Sequence, residues 1–198
     1  MEIESFDARG NPARYIKFVQ NGKTFSLDPN RIFTENGRNC GTSVEISEAV
    51  RGFAGQLLAM ILAPDGRTLR SGERFLVAVH NNTDVSGKAA HAKAGDLTAS
   101  AFVKLSGSSH GSFHDQADGA YLSNLEDDPD NFIFVSTISN VGFFAEKGFN
   151  VVVQKPAAEL HSTRCSVDDG SLSVFSAQNA IPYICLEADA VNGAFRQR

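Results

Sequence analysis

The segment Asp28-Pro29-Asn30-Arg31 places a carboxylate, a rigid ring, an amide and a guanidinium next to one another after an apolar run. A guanidinium makes paired, charge-assisted hydrogen bonds to a carboxylate, and an amide adds a neutral donor. The same composition also suits a turn without a ligand, because Asp-Pro and Pro-Asn pairs are common in turns. The segment is therefore a candidate either for anion recognition or for a plain turn.

Two other side chains with useful chemistry, His80 and Glu187, each follow a short apolar run, at residues 75–79 and 183–186. These runs predict buried strands, and ligands of open α/β sheets collect at the carboxyl ends of such strands. Imidazole can bind a metal or take a proton, and a carboxylate can act as a general acid or base. Each residue also fits a solvated position at the end of a strand.

The elements that must position these residues follow from local patterns. Asn21-Gly22 between the alternating segments 15–19 and 24–27 predicts a β-hairpin that leads directly into the Asp28 loop. Helical spacing of apolar residues predicts a helix over 43–62, and Gly148 is expected to close a second helix over 139–147. Continuous apolar runs predict four strands buried on both faces: residues 75–79, 132–135, 150–153 and 183–186.

Together these elements predict an α/β fold, with a mixed, mostly parallel sheet flanked by helices. The 198 residues, of which 42% are hydrophobic, are in the range of one domain that covers residues 1–198. Residues 81–131 are rich in Gly, Ser, Ala, His and Asp and show little periodicity. Because long loops in compact domains are usually functional, we interpret them as the surroundings of a site.

Charge, hydropathy and cysteine spacing restrict the class of protein. The net charge of -5, with both signs interspersed, offers no basic stripe, so a nucleic-acid partner is not expected. No apolar run approaches the ~20 residues of a membrane span, and the first residues lack the pattern of a signal peptide. Cys40, Cys165 and Cys185 form no Cys-x-x-Cys pair, which predicts three reduced thiols. We therefore expect a soluble, cytoplasmic protein without a membrane partner.

Taken in order, three motifs resemble one known family. The Asp-x-Asn-Arg loop at 28–31, His80 after an apolar strand, and the stretch 168–189 that contains Glu187 resemble the zinc metallocarboxypeptidases of the carboxypeptidase A and succinylglutamate desuccinylase group. The resemblance covers most of the chain and implies a metallocarboxypeptidase-like α/β domain that is short at its amino end. It also implies a hydrolase that cleaves an amide bond next to the free carboxylate of a small peptide or N-acyl amino acid.

The resemblance implies a role for each motif residue. Asn30 and Arg31 would grip the substrate carboxylate. His80 would be a ligand of a catalytic zinc, and Glu187 the general acid and base that moves the proton of the metal-bound water. The family also has an oxyanion-stabilising arginine upstream of the loop, a position for which Arg14 has the nearest spacing, although a solvated surface arginine is the simpler interpretation of Arg14.

The chain departs from the family in the first two zinc ligands. The family's His-x-x-Glu motif lies upstream of the Asp-x-Asn-Arg loop, and no histidine precedes His80. Because a catalytic zinc needs three protein ligands, either the amino-terminal part of the domain is missing, which we favour, or the chain is a degenerate relative. His110 and His114 have the spacing of a helical metal pair, but their glycine and serine neighbours predict a loop. The alternative function is a non-catalytic domain that binds a carboxylate without a metal.

Overall fold

The computed structural model describes residues 2–6, 12–20, 22–40, 44–62, 76–82, 115–127 and 131–189. The strands within these ranges are β1 (Glu2–Phe6), β2 (Pro12–Gln20), β3 (Lys23–Leu27), β4 (Leu76–Asn82), β5 (Ala117–Tyr121), β6 (Phe132–Val135), β7 (Val151–Gln154) and β8 (Tyr183–Asp189). The helices are α1 (Glu35–Asn39), α2 (Val44–Leu62), α3 (Val141–Ala145), α4 (Ala157–Leu160) and α5 (Leu172–Gln178), with short 3-10 turns at Pro29–Arg31 and Ile138–Asn140.

A three-stranded antiparallel sheet forms from the predicted hairpin. β2 and β3 pair with Gln20 opposite Lys23 at the turn, and β1 lies on the other side of β2. Gly22 in this turn has φ +74, a conformation that glycine adopts without the strain that a side chain would cause. The hairpin prediction is confirmed, and β3 leads directly into the 3-10 turn Pro29–Arg31.

Helix α2 confirms the helix predicted over residues 43–62 and shares its apolar face with the hairpin. The buried apolar side chains of the two elements and of the following turn form one cluster: Ile16, Leu27, Ile32, Val50 and Ala54. Burial of a large aliphatic side chain stabilises a fold by about 1.5–3 kcal/mol. The cluster therefore holds the end of β3, and the loop that follows it, against a rigid support.

A second sheet has five strands in the order β4-β8-β6-β7-β5. The pairs β4 with β8 and β6 with β7 are parallel, whereas β6 with β8 and β5 with β7 are antiparallel. The prediction of an α/β fold with a mixed sheet is confirmed, but the sheet is only partly parallel, which corrects the expectation of a mostly parallel one. Apolar runs indicate where strands form and carry no information on strand direction.

Burial distinguishes the central strands of this sheet from its edge. Every residue of β6 and β7 is buried, as the sequence predicts. Among the described strands, β4 lies at an edge, and its Val77 and Val79 are 56% and 80% exposed, so the prediction of a strand buried on both faces is wrong for this run. Ala78, in contrast, packs on the core of the sheet. The apolar run could not reveal this, because valine suits edge strands as well as central ones.

The helix predicted over residues 139–147 is present as two consecutive pieces. A 3-10 turn at Ile138–Asn140 leads into α3, and the chain then turns at Gly148, whose φ is +83. The predicted closure by glycine is therefore confirmed. α3 packs on the sheet through Val141, which contacts the buried residues of β6 and β7.

The cysteines do not form the predicted set of three reduced thiols. Cys40 and Cys165, which are 125 residues apart in sequence, form a disulfide, and Cys185 is a buried cysteine outside that bond. Spacing could not predict this pair, because the fold alone brings the two segments together. Disulfides are typical of oxidising compartments, so the bond gives no support to the predicted cytoplasmic location. Among the described residues, no helix has the length and apolar character that crossing a bilayer requires.

We expect replacement of either bonded cysteine, Cys40→Ser or Cys165→Ser, to lower the free energy of unfolding by about 2–4 kcal/mol. The bond closes a loop with a sequence separation of 125 residues, and a long closed loop restricts the unfolded chain strongly. Denaturant unfolding at pH 7 measures the effect. The double variant should be no less stable than either single one, and a wild-type protein that reductant does not destabilise would contradict the prediction.

Candidate active site

One pocket on a face of the second sheet brings together four residues that the sequence analysis singled out: Asn30, Arg31, His80 and Glu187. The floor of the pocket is formed by neighbouring strands, with Phe134 of β6 and Tyr183 of β8 among its apolar side chains. The cavity has a volume of about 120 Å³. Pockets for drug-sized ligands usually measure ~300–1,000 Å³, so this one suits a small ligand or the end of a longer one.

A partly exposed imidazole and a buried carboxylate form a pair at the edge of this floor. The parallel register of β4 and β8 places His80 opposite Glu187, and His80 Nδ1 lies 2.8 Å from Glu187 Oε2. Glu187 is only 2% exposed, and its other oxygen, Oε1, accepts a hydrogen bond from the Cys185 thiol at 3.1 Å. Cys185 and Glu187 point to the same face because they are two residues apart on one strand. Both oxygens of the buried carboxylate are therefore paired, as its burial requires.

The second ring nitrogen of His80 is available for chemistry. Where the Glu187 carboxylate accepts the hydrogen bond, Nδ1 of His80 carries the proton, and Nε2 of the neutral ring keeps its lone pair. Nε2 is buried and has no hydrogen-bond partner within the described part of the chain. A nitrogen in this state can take a proton from a bound molecule or bind a metal ion.

The loop Asp28–Arg31 contributes the cationic side of the pocket. Asp28 Oδ1 accepts a hydrogen bond from the backbone N–H of Asn30 at 2.8 Å, which holds the turn. Arg31 donates to the backbone oxygen of Asn30 at 2.9 Å and forms an ion pair with Asp169, Nε to Oδ2, at 3.3 Å. Its side chain is still 34% exposed, whereas that of Asp169 is 7% exposed. Part of the guanidinium can therefore meet a ligand.

The side-chain amide of Asn30 makes one hydrogen bond within the protein, through its oxygen. Its Oδ1 accepts a hydrogen bond at 3.0 Å from the backbone N–H of Leu172, the first residue of α5. Its Nδ2 makes no hydrogen bond to any residue that the structure describes. Asn30 therefore ties the loop to α5 and keeps one donor group for a ligand.

A second segment, Asp168 to Ser171, holds the cationic loop in place. Phe33 donates a backbone hydrogen bond to Gly170 at 2.9 Å, and the Asn36 side chain donates to the backbone oxygen of Asp168 at 2.7 Å. A Cβ atom added to Gly37 would lie 2.0 Å from the Cα of Gly170, so only glycine permits this approach. The disulfide between Cys40 and Cys165 joins the end of α1 to the chain three residues before Asp168.

Buried Asp168 organises this junction through its side chain. Thr34 Oγ1 donates to Asp168 Oδ1 at 2.5 Å, and Gln178 donates to Oδ2 at 3.0 Å. The Arg38 guanidinium supports the neighbouring backbone by donating a hydrogen bond to the backbone oxygen of Ile32 at 2.9 Å. The pKa of Arg38 is lowered, chiefly by burial and then by repulsion from nearby Arg51. The position of Arg31 thus depends on contacts between residues more than 120 positions apart.

Sequence reasoning missed several residues of the pocket. Asp169 could have been found, because the sequence shows two adjacent carboxylates, Asp168 and Asp169, directly before Gly170. The sequence analysis assigns Asp169 no role. Gln116 lines the pocket at the start of β5 and had no local signal at all. Cys185 is predicted from the sequence only as a reduced thiol, and the structure shows that this thiol contacts the carboxylate of Glu187.

Other predicted residues fall where the structure does not describe a side chain. Arg14 lies in β2, and its side chain is outside the described residues. His91, His110 and His114 are also outside, together with most of the predicted loop over 81–131. The oxyanion role of Arg14 and the metal-binding potential of these histidines stay predictions.

The described residues do not form a complete metal site. No group of three or more His, Cys, Asp or Glu side chains that could hold an ion is found among them. His80 resembles a metal-binding histidine, because its Nδ1 is paired with the Glu187 carboxylate and its Nε2 has no partner among the described residues. A catalytic zinc requires three protein ligands, so the described residues of the pocket do not fit the metal that the resemblance implies.

Comparison with known proteins leaves the site as the sole basis for an inference of function. The chain matches no protein-family model, no curated protein and no solved structure.

Proposed function

We propose that this pocket belongs to a hydrolase that cleaves an amide bond next to the free carboxylate of a small peptide or N-acyl amino acid. The observation that carries the proposal is that the Arg31 guanidinium and the pair His80–Glu187 line the same small pocket. A cation positions an anionic substrate, and a paired imidazole is a general base. A binding site for a carboxylate alone would have no need of the second feature.

Substrate binding rests on the cationic loop. The exposed part of Arg31 would make charge-assisted hydrogen bonds to the substrate carboxylate, and Asn30 Nδ2 would add a neutral donor. The ion pair with Asp169 fixes the guanidinium plane before the substrate arrives. A prearranged group loses little conformational entropy on binding, which favours affinity.

The chemical step would use His80 as the base. Nε2 would take a proton from a water molecule as the water oxygen attacks the amide carbon, and would then return that proton to the leaving amine. Glu187 would hold the ring in the correct tautomer and stabilise the imidazolium that forms. This role differs from the direct proton transfer that the resemblance implies for Glu187, because both of its oxygens are paired with protein groups.

The resemblance also implies zinc, with His80 as the ligand, and the described residues offer no group of three side chains that could hold an ion. A complete site would need ligands from elsewhere in the chain or from a preceding segment. We therefore derive no step through a metal.

We expect the 198-residue chain to retain clearly less than one zinc per molecule after dialysis. The physical reason is that a single imidazole cannot hold zinc against water. Elemental analysis of the dialysed protein gives the ratio, with His80→Ala as the comparison. Stoichiometric zinc that disappears in His80→Ala would show that further ligands exist, and His91, His110 and His114 would be the first to replace.

A direct test of the proposed function compares N-acetyl amino acids with the same compounds blocked as carboxamides, assayed with and without added zinc. We expect amine release from the free acids and little from the blocked forms, since only the acids can bind Arg31. Binding of the acids without cleavage in either condition would favour the alternative, a non-catalytic carboxylate-binding domain. Absence of both binding and cleavage would disprove both functions.

A further inference from the structure

The Glu187 carboxylate is held from two sides, by a group on β4 and by a group on its own strand, β8. Its Oε2 lies 2.8 Å from Nδ1 of His80, and its Oε1 accepts a hydrogen bond at 3.1 Å from the thiol of Cys185. The terminal torsion of a glutamate side chain has only a broad preference, so one hydrogen bond would leave the carboxylate able to turn about its last C–C bond. The second hydrogen bond fixes the plane of the carboxylate. The thiol therefore helps to set which oxygen faces His80.

Cys185 has the chemistry that this position requires. It is only 4% exposed and belongs to the core cluster that includes Phe134 and Tyr183. A thiol packs like a small apolar side chain and still offers one weak hydrogen-bond donor. An alanine in its place would pack on the same cluster but would offer no donor to Glu187. Cys185 therefore serves the apolar floor of the pocket and the buried carboxylate at once.

Loss of the thiol donor would reach His80 through Glu187. Oε1 would become a buried oxygen without a partner, which is costly, and the carboxylate would turn to relieve that cost. A turned carboxylate no longer presents Oε2 to Nδ1 of His80. The ring then loses the acceptor that selects its tautomer, and Nε2 no longer keeps its lone pair in every molecule. The state of Nε2 therefore depends on a residue that is two hydrogen bonds away.

We propose that Cys185 is a positioning residue for the pair His80–Glu187: its thiol fixes the carboxylate of Glu187, which in turn fixes the tautomer of His80. The inference rests on the proposed function, in which Nε2 of His80 acts as the base, and adds a residue to it. Cys185 acts through Glu187 and takes no part in making or breaking a bond. Its removal therefore affects the chemical step more than the binding of substrate.

Nuclear magnetic resonance on the dialysed chain, with isotope-labelled histidine, measures the tautomer of His80 directly. In mildly alkaline buffer, where an ordinary imidazole is neutral, the wild type should carry the proton on Nδ1. Cys185→Ala should show a mixture of both tautomers, and Cys185→Ser, which restores a donor, should return the wild-type form. The variant His80→Ala identifies the signal by its loss.

Val152→Ala is the matched control for the space that a smaller side chain leaves. Val152 is buried in the same cluster as Cys185 but lies on β7, two strands away from β8. It should keep the wild-type signal of His80. If Cys185→Ala does not fold, Cys185→Val takes its place, because valine fills the position without a donor.

Kinetics on a cleaved N-acetyl amino acid give the second measurement. Cys185→Ala should lower kcat about tenfold with little change in KM, and Cys185→Ser should restore most of the loss. An unchanged tautomer of His80 in the folded variant without the thiol would overturn the inference and leave the proposed function standing. If no N-acetyl amino acid is cleaved, the proposed hydrolase fails, and the tautomer comparison alone decides whether Cys185 positions the pair.

Discussion

The variant Glu187→Gln should lose about 100- to 10,000-fold in turnover of a cleaved N-acyl amino acid, while it still folds and binds the substrate. The glutamine oxygen can still accept a hydrogen bond from His80 Nδ1, at the position where the carboxylate lies 2.8 Å away. It carries no charge to stabilise the imidazolium, so the loss falls on the chemical step. A neutral amide is also easier to bury than a carboxylate, so we expect no loss of stability.

Initial rates and a calorimetric titration on the same preparation separate chemistry from binding. Glu159→Gln is the matched control, because Glu159 lies exposed on α4 and should tolerate the change. A Glu187→Gln variant that retains more than about a tenth of wild-type turnover would contradict the proposed role, since general-base catalysis typically contributes more than that.

Replacing Arg31 with alanine should weaken binding of carboxylate-terminated ligands by about 10- to 100-fold, because hydrogen bonds to charged groups contribute about 1.5–3 kcal/mol. The change should also lower the free energy of unfolding by about 1–2 kcal/mol, since buried Asp169 loses its ion-pair partner. We expect Arg31→Lys to restore only part of the affinity, because lysine supplies the charge without the paired donors.

Calorimetry with an N-acetyl amino acid, and denaturant unfolding of the same variants, measure the two effects of Arg31→Ala. Arg51→Ala is the control, since Arg51 is exposed and its nearest carboxylate, that of exposed Glu35, lies 3.9 Å away. Surface pairs of this kind contribute little to stability. Equal affinities of the wild type and a folded Arg31→Ala variant would rule out the carboxylate anchor and, with it, the proposed substrate class.

The two predictions test different halves of the site. If Arg31→Ala loses affinity and Glu187→Gln keeps its turnover, carboxylate recognition is supported and the general-base role of the pair His80–Glu187 is rejected. The opposite result would keep the pair His80–Glu187 as a catalytic group and require another anchor for the substrate. Either outcome would separate the hydrolase from the non-catalytic carboxylate-binding domain.

Features that depend only on residues close together in the sequence could be predicted from the sequence alone. Asn21-Gly22 between alternating segments predicted the hairpin, because a two-residue turn is determined by the conformations its own residues permit. The β-branched runs predicted β6 and β7, and helical spacing predicted α2, with little error in their bounds. The candidate residues Asn30, Arg31, His80 and Glu187 were also named from the sequence, since their chemistry belongs to the side chains themselves.

Only the tertiary structure decided which elements lie side by side. It set the partly parallel strand order, placed β4 at an edge among the described strands, and joined Cys40 to Cys165. It also brought Asp169 to Arg31 and placed Gln116 in the lining of the pocket. The physical reason is that strand order and long-range contacts follow from how all the apolar faces of the chain are buried together. No segment of a few residues carries that information, whereas turns and periodicity are set within such segments.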